Sequence, residues 1–135
     1  MRIHLSLDRK LPQQQMIDLY TANGWSAAQK PEQLYQALIN SHTLVLAWGG
    51  KDLLGLGNAI SDGHLVVYYP HLLVHPEHHG KGIGKMIMEK MKEVYRGFHM
   101  HMLTADQEAV PFYEKMGFEP AGQTQAMWIY QGGEH

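Results

Sequence analysis

The stretch from Leu72 to Met91, LLVHPEHHGKGIGKMIMEKM, contains the residues whose chemistry and spacing most clearly suit binding or catalysis. An apolar run ends there at a His-Pro pair, and three glycines then occupy alternate positions: Gly80, Gly82 and Gly84. Glycines let the backbone turn several N–H groups toward one point, and the helical spacing that follows adds the N–H groups and positive dipole end of a helix. With Lys81 and Lys85 nearby, the pattern predicts an anion-binding turn, although a plain glycine-rich turn before a helix has the same pattern.

Two common nucleotide-binding motifs are absent from this stretch. A P-loop requires G-x-x-x-x-G-K-[ST], but only three residues separate Gly80 from Gly84, and Met86 stands where the hydroxyl residue would be. The dinucleotide fingerprint G-x-G-x-x-G fails because the third glycine comes one residue early. The sequence therefore disfavours both classes of nucleotide-binding protein.

Composition restricts the class of protein further. The chain has 135 residues, of which 44% are hydrophobic and 18% charged, so we expect one domain over residues 1–135 with a packed core. A net charge of -2 argues against binding nucleic acid by a basic face. The absence of cysteine excludes disulfides and a cysteine zinc site. Without a signal-like N-terminus or an apolar run of ~18 residues, we expect a cytoplasmic protein that does not contact a membrane.

The elements that would position this stretch follow from hydrophobic periodicity, in a mixed order of strands and helices. Predicted strands cover Ile3–Leu7, Thr43–Trp48, Leu53–Ser61, Leu65–Val74 and His99–Thr104, with a last strand pair ending in AMWIY; predicted helices begin at Pro12, Pro31, about Gly82, and about Val110. Pro70 cannot donate to a strand ladder, which predicts a bulge or a parting within the fourth strand. The order indicates an α/β fold with a partly antiparallel sheet.

Two motifs in this sequence resemble those of the GNAT acetyltransferases. VHPEHHGKGIG, residues 74–84, resembles V-x-P-x-x-[QR]-G-x-G-x-G, with His79 in place of Gln or Arg. AVPFYEKMGFEPAG, residues 109–122, resembles A-x-x-F-Y-x-K-x-G-F. The resemblance extends over nearly the whole chain. Within the family, the sequence is similar to serotonin- or arylalkylamine-type and small bacterial N-acetyltransferases. The resemblance implies the GNAT fold: a mixed central sheet of six to seven strands, about four helices, and a V-shaped splay between the fourth and fifth strands.

The resemblance implies transfer of an acetyl group from acetyl-CoA, as co-substrate, to a primary amine. We expect a small-molecule amine that attacks directly in a ternary complex. An acyl-CoA-binding regulatory domain without catalysis is the alternative. The residues implied to bind the cofactor are Leu72, Leu73, Val74, His79, Gly80, Lys81, Gly82, Ile83, Gly84, Lys85, Asp106 and Phe112.

Three residues are implied to act in the reaction. The backbone N–H of Leu72 would donate to the thioester carbonyl, where negative charge develops. His71 stands where several GNAT branches have a carboxylate, and it would act as base; Tyr68, Asp62 or an ordered water in that role, or a purely structural His71, remain open. Tyr113 matches the tyrosine that protonates the leaving thiolate, and a phenol pKa of ~10 lies above the ~8.5 of a thiol.

Further predictions concern the acceptor, metals and assembly. Tyr20, Trp25 and Tyr35 form an acceptor-binding arm for aromatic or apolar amines, or they simply pack the first helices. Histidines at close spacing raise the possibility of a metal module: His75, His78, His79, His99 and His101. Neither a carboxylate nor a cysteine set completes a four-ligand site, so we expect no metal. The resemblance is also compatible with a homodimer.

Overall fold

The computed structural model describes residues 2–133 of the chain, and this part folds as a mixed α/β structure. The strands are β1 (Ile3–Ser6), β2 (Thr43–Gly49), β3 (Asp52–Ser61), β4 (Val66–Tyr68), β5 (Leu72–Val74) and β6 (Met100–Met102). The helices are α1 (Gln13–Ala22), α2 (Pro31–Ile39), α3 (Ile83–Val94) and α4 (Val110–Lys115). Short 3-10 turns cover Ser26–Gln29, Pro76–His78 and Gln107–Ala109. The predicted α/β class is confirmed, and none of the described helices is long and apolar enough to cross a membrane.

The sheet runs in the order β1-β2-β3-β4-β6, with β5 pairing with β3 further along the same edge. The predicted fourth strand is therefore split into β4 and β5. Pro70 lies at the break and has no N–H to donate. The next N–H, that of His71, is bonded at 3.0 Å to the side-chain Oδ1 of Asn58 instead of to a backbone carbonyl. The parting predicted at Pro70 is confirmed, and a side chain replaces the backbone partner next to it.

The sheet opens just beyond this break. Strand β6 pairs with β4 in parallel, and the last hydrogen bond between them runs from the N–H of Tyr69 to the carbonyl of Met102, at 3.0 Å. From there β5 continues along β3, and within residues 2–133 it has no strand on its other side. The predicted V-shaped splay therefore lies between β5 and β6.

Helices cover both faces of the sheet. On one face α3 contributes its buried stripe at three- and four-residue spacing: Ile83, Ile87, Met88 and Met91. On the other face α1 and α2 contribute a second stripe: Met16, Leu19, Tyr20, Leu34 and Leu38. Because β5 is sandwiched between these two layers, the splay has α3 on one side and α1 on the other.

The predicted last strand pair is wrong for the described residues, because residues 119–133 contain no strand. Pro120 cannot donate to a ladder, and its carbonyl accepts the N–H of Gly122 at 2.8 Å in a local turn. Further on, the hydroxyl of Tyr130 lies 2.9 Å from that of Ser26, in a hydrogen bond. The apolar run before it is exposed, with Met127 at 89%.

Candidate active site

The glycine-rich turn leads directly into the N-terminus of α3. Gly80 and Gly82 have φ angles of 79° and 81°, in the left-handed region that favours glycine. Gly82 is the N-cap residue of α3, and it has no side chain that could accept hydrogen bonds from the first turn. The first-turn N–H groups, beginning at Ile83, are therefore left for an outside acceptor. Helix N-termini with this geometry can bind anions, and the anion site itself stays a prediction.

The third glycine of the turn has a different role from the first two. Gly84 lies inside α3, and a Cβ built there would meet the ring of Phe112 at 3.5 Å. The start of α3 therefore packs against α4, with Phe112 beside the turn. The two predicted lysines are both exposed, and Nζ of Lys81 lies 3.2 Å from Nδ1 of His78.

Hydrogen bonding along β5 shows which backbone groups face the splay. The carbonyl of His71 accepts the N–H of Asn58, and the N–H of His75 donates to Leu54, so alternate residues of β5 point toward β3. Leu72 and Val74, at the positions between, direct their N–H and C=O groups away from β3, into the splay. The N–H of Leu72 therefore faces the splay, and its role in the reaction stays a prediction.

Leu73 differs from its two neighbours. It pairs with Leu56 of β3, so its backbone groups belong to the ladder, and its side chain is 4% exposed. The structure does not bring Leu73 to the splay. The backbone groups of Leu73 are therefore not available for the predicted contact with the cofactor.

The carbonyl of Val74 already accepts two hydrogen bonds. Nδ2 of Asn23 lies 3.2 Å from it and Nε2 of His79 lies 2.8 Å from it. A carbonyl oxygen only accepts, so Nε2 of His79 is the donor. His79, which stands in the position of the family's Gln or Arg, thus binds β5 through this nitrogen. Val74 offers little acceptor capacity to a ligand, and the carbonyl of Leu72 is the better-placed acceptor.

Tyr113 lies on α4 between two other aromatic rings. The ring centroids of Phe112 and Phe118 are 5.0 Å and 5.9 Å from its own. Burial, and in second place the negative charge of Asp106, together raise the pKa of Tyr113 to about 12. Asp106 itself is exposed, at the start of the 3-10 turn before α4. The phenol of Tyr113 therefore keeps its proton throughout the neutral range.

A cleft of about 620 Å³ lies between β6, α4 and the segment 117–122. Tyr113 lines it, together with mainly apolar neighbours: Leu103, Val110, Met116 and Phe118. Neither β5 nor the glycine turn contributes to its wall. The cleft is lined in part by residues 117–122, which lead into the segment that was predicted to form a last strand pair, and the sequence did not indicate it.

His71 lies on the α1 side of β5, in contact with two aromatic rings. Its Nδ1 is 2.7 Å from the hydroxyl of Tyr20, and the ring of Trp25 meets it edge-on with centroids 5.1 Å apart. Tyr20 is completely buried, so it does not form part of an open acceptor pocket. Tyr35 is half-buried and packs with the helices on the same face.

Two residues that the sequence reasoning did not select hold this part of the site. Asn58 accepts the N–H of His71 and donates to the hydroxyl of Ser41 at 3.0 Å. Asn23 joins the end of α1 to Val74. A sequence signal existed for Asn58, because an asparagine within the apolar run LLGLGNAI needs a buried partner.

No three His, Asp or Glu side chains among residues 2–133 come together in a way that could hold a metal ion. Two of the histidines considered for such a site are instead held by other groups. Nδ1 of His75 accepts the N–H of Glu77, and Nδ1 of His101 lies 2.8 Å from the hydroxyl of Tyr69.

Comparisons with known proteins agree with this geometry. The family described as the acetyltransferase (GNAT) domain matches residues 9–128. The uncharacterised N-acetyltransferase ycf52 of Pyropia yezoensis is 27% identical, over 93% of this chain and 76% of that protein. The chloroplastic GCN5-related N-acetyltransferase 2 of Arabidopsis thaliana is 35% identical over 58% of this chain and 32% of that protein. A GNAT family acetyltransferase structure from Streptococcus pneumoniae superposes with a TM-score of 0.83 at 28% identity, covering 96% of this chain and 99% of that one.

Proposed function

This chain belongs to the GNAT acetyltransferase family, and from that premise we propose that it acetylates the primary amine of a small molecule by direct attack in a ternary complex. The family and its named relatives make it an acyl-CoA-dependent acetyltransferase. The observation that carries the proposal is the N–H of Leu72, which faces the splay between β5 and β6 beside the N-terminus of α3.

The donor of the acetyl group in this family is acetyl-CoA, and the residues present fit it. The backbone at Gly80 and Gly82 and the first turn of α3 would hold its phosphates, with Lys81 and Lys85 adding positive charge. The C=O group of Leu72 would accept from an amide of its pantetheine arm, as an added strand pairs with a sheet edge, which leaves the N–H of Leu72 for the thioester. Val74 would contribute its N–H, because its carbonyl is already bonded to Asn23 and His79.

Acetyl-CoA supplies an activated acetyl group as a thioester. The N–H of Leu72 would donate to the carbonyl oxygen as negative charge develops there, and a donor in this role accounts for a factor of about 10²–10³ in rate. Tyr113 would donate its phenol hydrogen bond to the sulfur of the departing thiolate. The acceptor amine must lose a proton to attack, and it would approach from the side of α1, where His71 lies.

Release of CoA from acetyl-CoA in the presence of an amine panel tests this proposal. The panel contains arylalkylamines, aliphatic diamines, amino sugars and a lysine-containing peptide, and the free thiol is followed by a colorimetric reagent. The proposal predicts thiol release with at least one small primary amine. Release with the peptide alone would refute the small-molecule acceptor, and bound acetyl-CoA with no release for any amine would favour an acyl-CoA-binding regulatory domain.

Three further expectations stay predictions. They are the organisation of residues 1–135 as one domain, the cytoplasmic location and the homodimer. For the homodimer, the exposed apolar side chains near the end of the described chain offer a surface, with Trp128 at 74% and Ile129 at 95% exposure.

A further inference from the structure

The hydrogen bond between Tyr20 and His71 restricts which ring nitrogen of the neutral imidazole carries the proton. The Tyr20 hydroxyl is 2.7 Å from Nδ1 of His71, and Tyr20 is completely buried in the layer formed by α1 and α2. Among residues 2–133, Nδ1 of His71 is the hydrogen-bond partner that this hydroxyl has. Burial also raises the pKa of Tyr20 well above its ordinary value, so the phenol is protonated.

A protonated phenol in this position restricts the tautomer of a neutral imidazole. If Nδ1 accepts, the phenol O–H is satisfied and the ring proton must be on Nε2. If Nδ1 carries the proton, the two hydrogens compete and the phenol O–H of Tyr20 loses its acceptor. Leaving a buried donor unpaired is costly, and the cost corresponds to a preference of about tenfold or more for the first arrangement.

A second tyrosine–histidine pair in the same chain lacks this restriction. The hydroxyl of Tyr95 lies 2.6 Å from Nδ1 of His42, but it also lies 2.6 Å from the hydroxyl of Thr43. Tyr95 can donate to one of these partners and accept from the other, so either tautomer of His42 leaves it satisfied. This pair serves as an internal control for the first.

We propose that Tyr20 is a positioning residue that holds neutral His71 in the tautomer protonated at Nε2. In that tautomer Nε2 presents an N–H and has no lone pair, so His71 acts at this nitrogen as a hydrogen-bond donor and not as the general base. The proton lost by the acceptor amine then goes to water rather than to His71. The tautomer stands on the hydrogen bonding alone, whereas its part in the reaction rests on the proposed acetyl transfer.

Nitrogen-15 NMR of the histidine rings tests the tautomer without any substrate. Spectra are recorded at pH 8.5, about two pH units above the ordinary histidine pKa of ~6.5, for the wild type, Tyr20→Phe and Tyr95→Phe. We expect His71 protonated at Nε2 by at least about tenfold in the wild type, and a shift toward Nδ1 in Tyr20→Phe. Tyr95→Phe should alter the signals of His42 and leave those of His71 in place.

The wild-type spectrum is decisive even if Tyr20→Phe does not fold. Predominant protonation of His71 at Nδ1 would overturn the proposal, and so would a ring signal that is the same in a folded Tyr20→Phe variant. Failure of the proposed acetyl transfer would leave these spectra unchanged, so the two hypotheses can fail separately.

Kinetic measurements on two His71 variants then distinguish a hydrogen-bond donor from a general base at this residue. His71→Gln keeps an N–H donor near the position of Nε2 but cannot take up a proton near neutral pH, whereas His71→Ala removes both functions. If His71 donates, His71→Gln should keep kcat within about tenfold of the wild type and His71→Ala should fall about a hundredfold. Equal losses in the two variants, with unchanged acetyl-CoA affinity, would show that the lone pair is required.

Discussion

Replacing Tyr113 with Phe removes one hydroxyl from α4 and tests how the thiolate departs. The pKa of about 12 for Tyr113 lies well above the ~8.5 of an ordinary thiol, so complete transfer of its proton to a thiolate is uphill by roughly 5 kcal/mol. Tyr113 would therefore stabilise the departing sulfur by a hydrogen bond more than by giving up its proton. A hydrogen bond to a charged group contributes about 1.5–3 kcal/mol, which predicts a loss of about 10- to 150-fold in kcat.

The assay for this prediction combines thiol release between pH 6 and 9.5 with calorimetric binding of acetyl-CoA. We expect Tyr113→Phe to lower kcat and to leave the Kd for acetyl-CoA unchanged. Because the pKa of Tyr113 is so high, its ionisation should not produce a step in the wild-type rate within this range. Tyr95→Phe is the matched control, since it removes the same hydroxyl from a site beside His42 and Thr43. Wild-type kcat in Tyr113→Phe would refute the reasoning, as would a rise in Kd as large as the loss in rate.

The glycine turn, the hydrogen bonds of Asn58 and the buried phenol of Tyr113 give three further predictions. Gly82→Ala places a Cβ at a φ of 81° and should lower the free energy of unfolding by about 1 kcal/mol. Gly84→Ala places a Cβ inside a helix at ordinary contact distances, so the free energy of unfolding should stay the same or rise. Urea unfolding that shows Gly84→Ala to be the less stable variant would contradict the geometry. Asn58→Ala should lower the free energy of unfolding by about 1–3 kcal/mol because it removes the hydrogen bonds that Asn58 accepts from the N–H of His71 and donates to the hydroxyl of Ser41; an unchanged urea midpoint would contradict this. Burial raises the pKa of Tyr113, so its protonated form stabilises the fold below pH ~10, and this contribution is lost as pH rises through about 12. The midpoint of thermal unfolding should therefore fall between these pH values, and it should fall less in Tyr113→Phe.

Local features of the site could be predicted from the sequence because each has a local cause. Gly80 and Gly82 adopt backbone angles that other residues avoid, so their spacing was informative by itself. Pro70 lacks an N–H, and the strand parts there. The start of α3 followed from its periodic apolar residues, and the splay followed from the family resemblance.

Other features depend on contacts between distant parts of the chain. Tyr20 meets His71 across 51 positions, and no local pattern indicates that pair. The last strand pair was wrong because the β-propensity of AMWIY depends on a partner strand that the described residues do not supply. The sequence implied a cofactor contact for His79 but gave no sign that its Nε2 donates to the carbonyl of Val74, a contact set by the tertiary position of β5.

Calorimetric titration of the purified chain with acetyl-CoA tests the central claim most directly. The backbone groups of Leu72, the turn at Gly80 and Gly82 and the first turn of α3 together predict saturable binding of one molecule per chain. Gly82→Ala should bind more weakly, whereas Gly84→Ala should bind much as the wild type does. Absence of any binding by the folded wild-type chain would contradict the account, because the splay and the glycine turn would then not form an acetyl-CoA site.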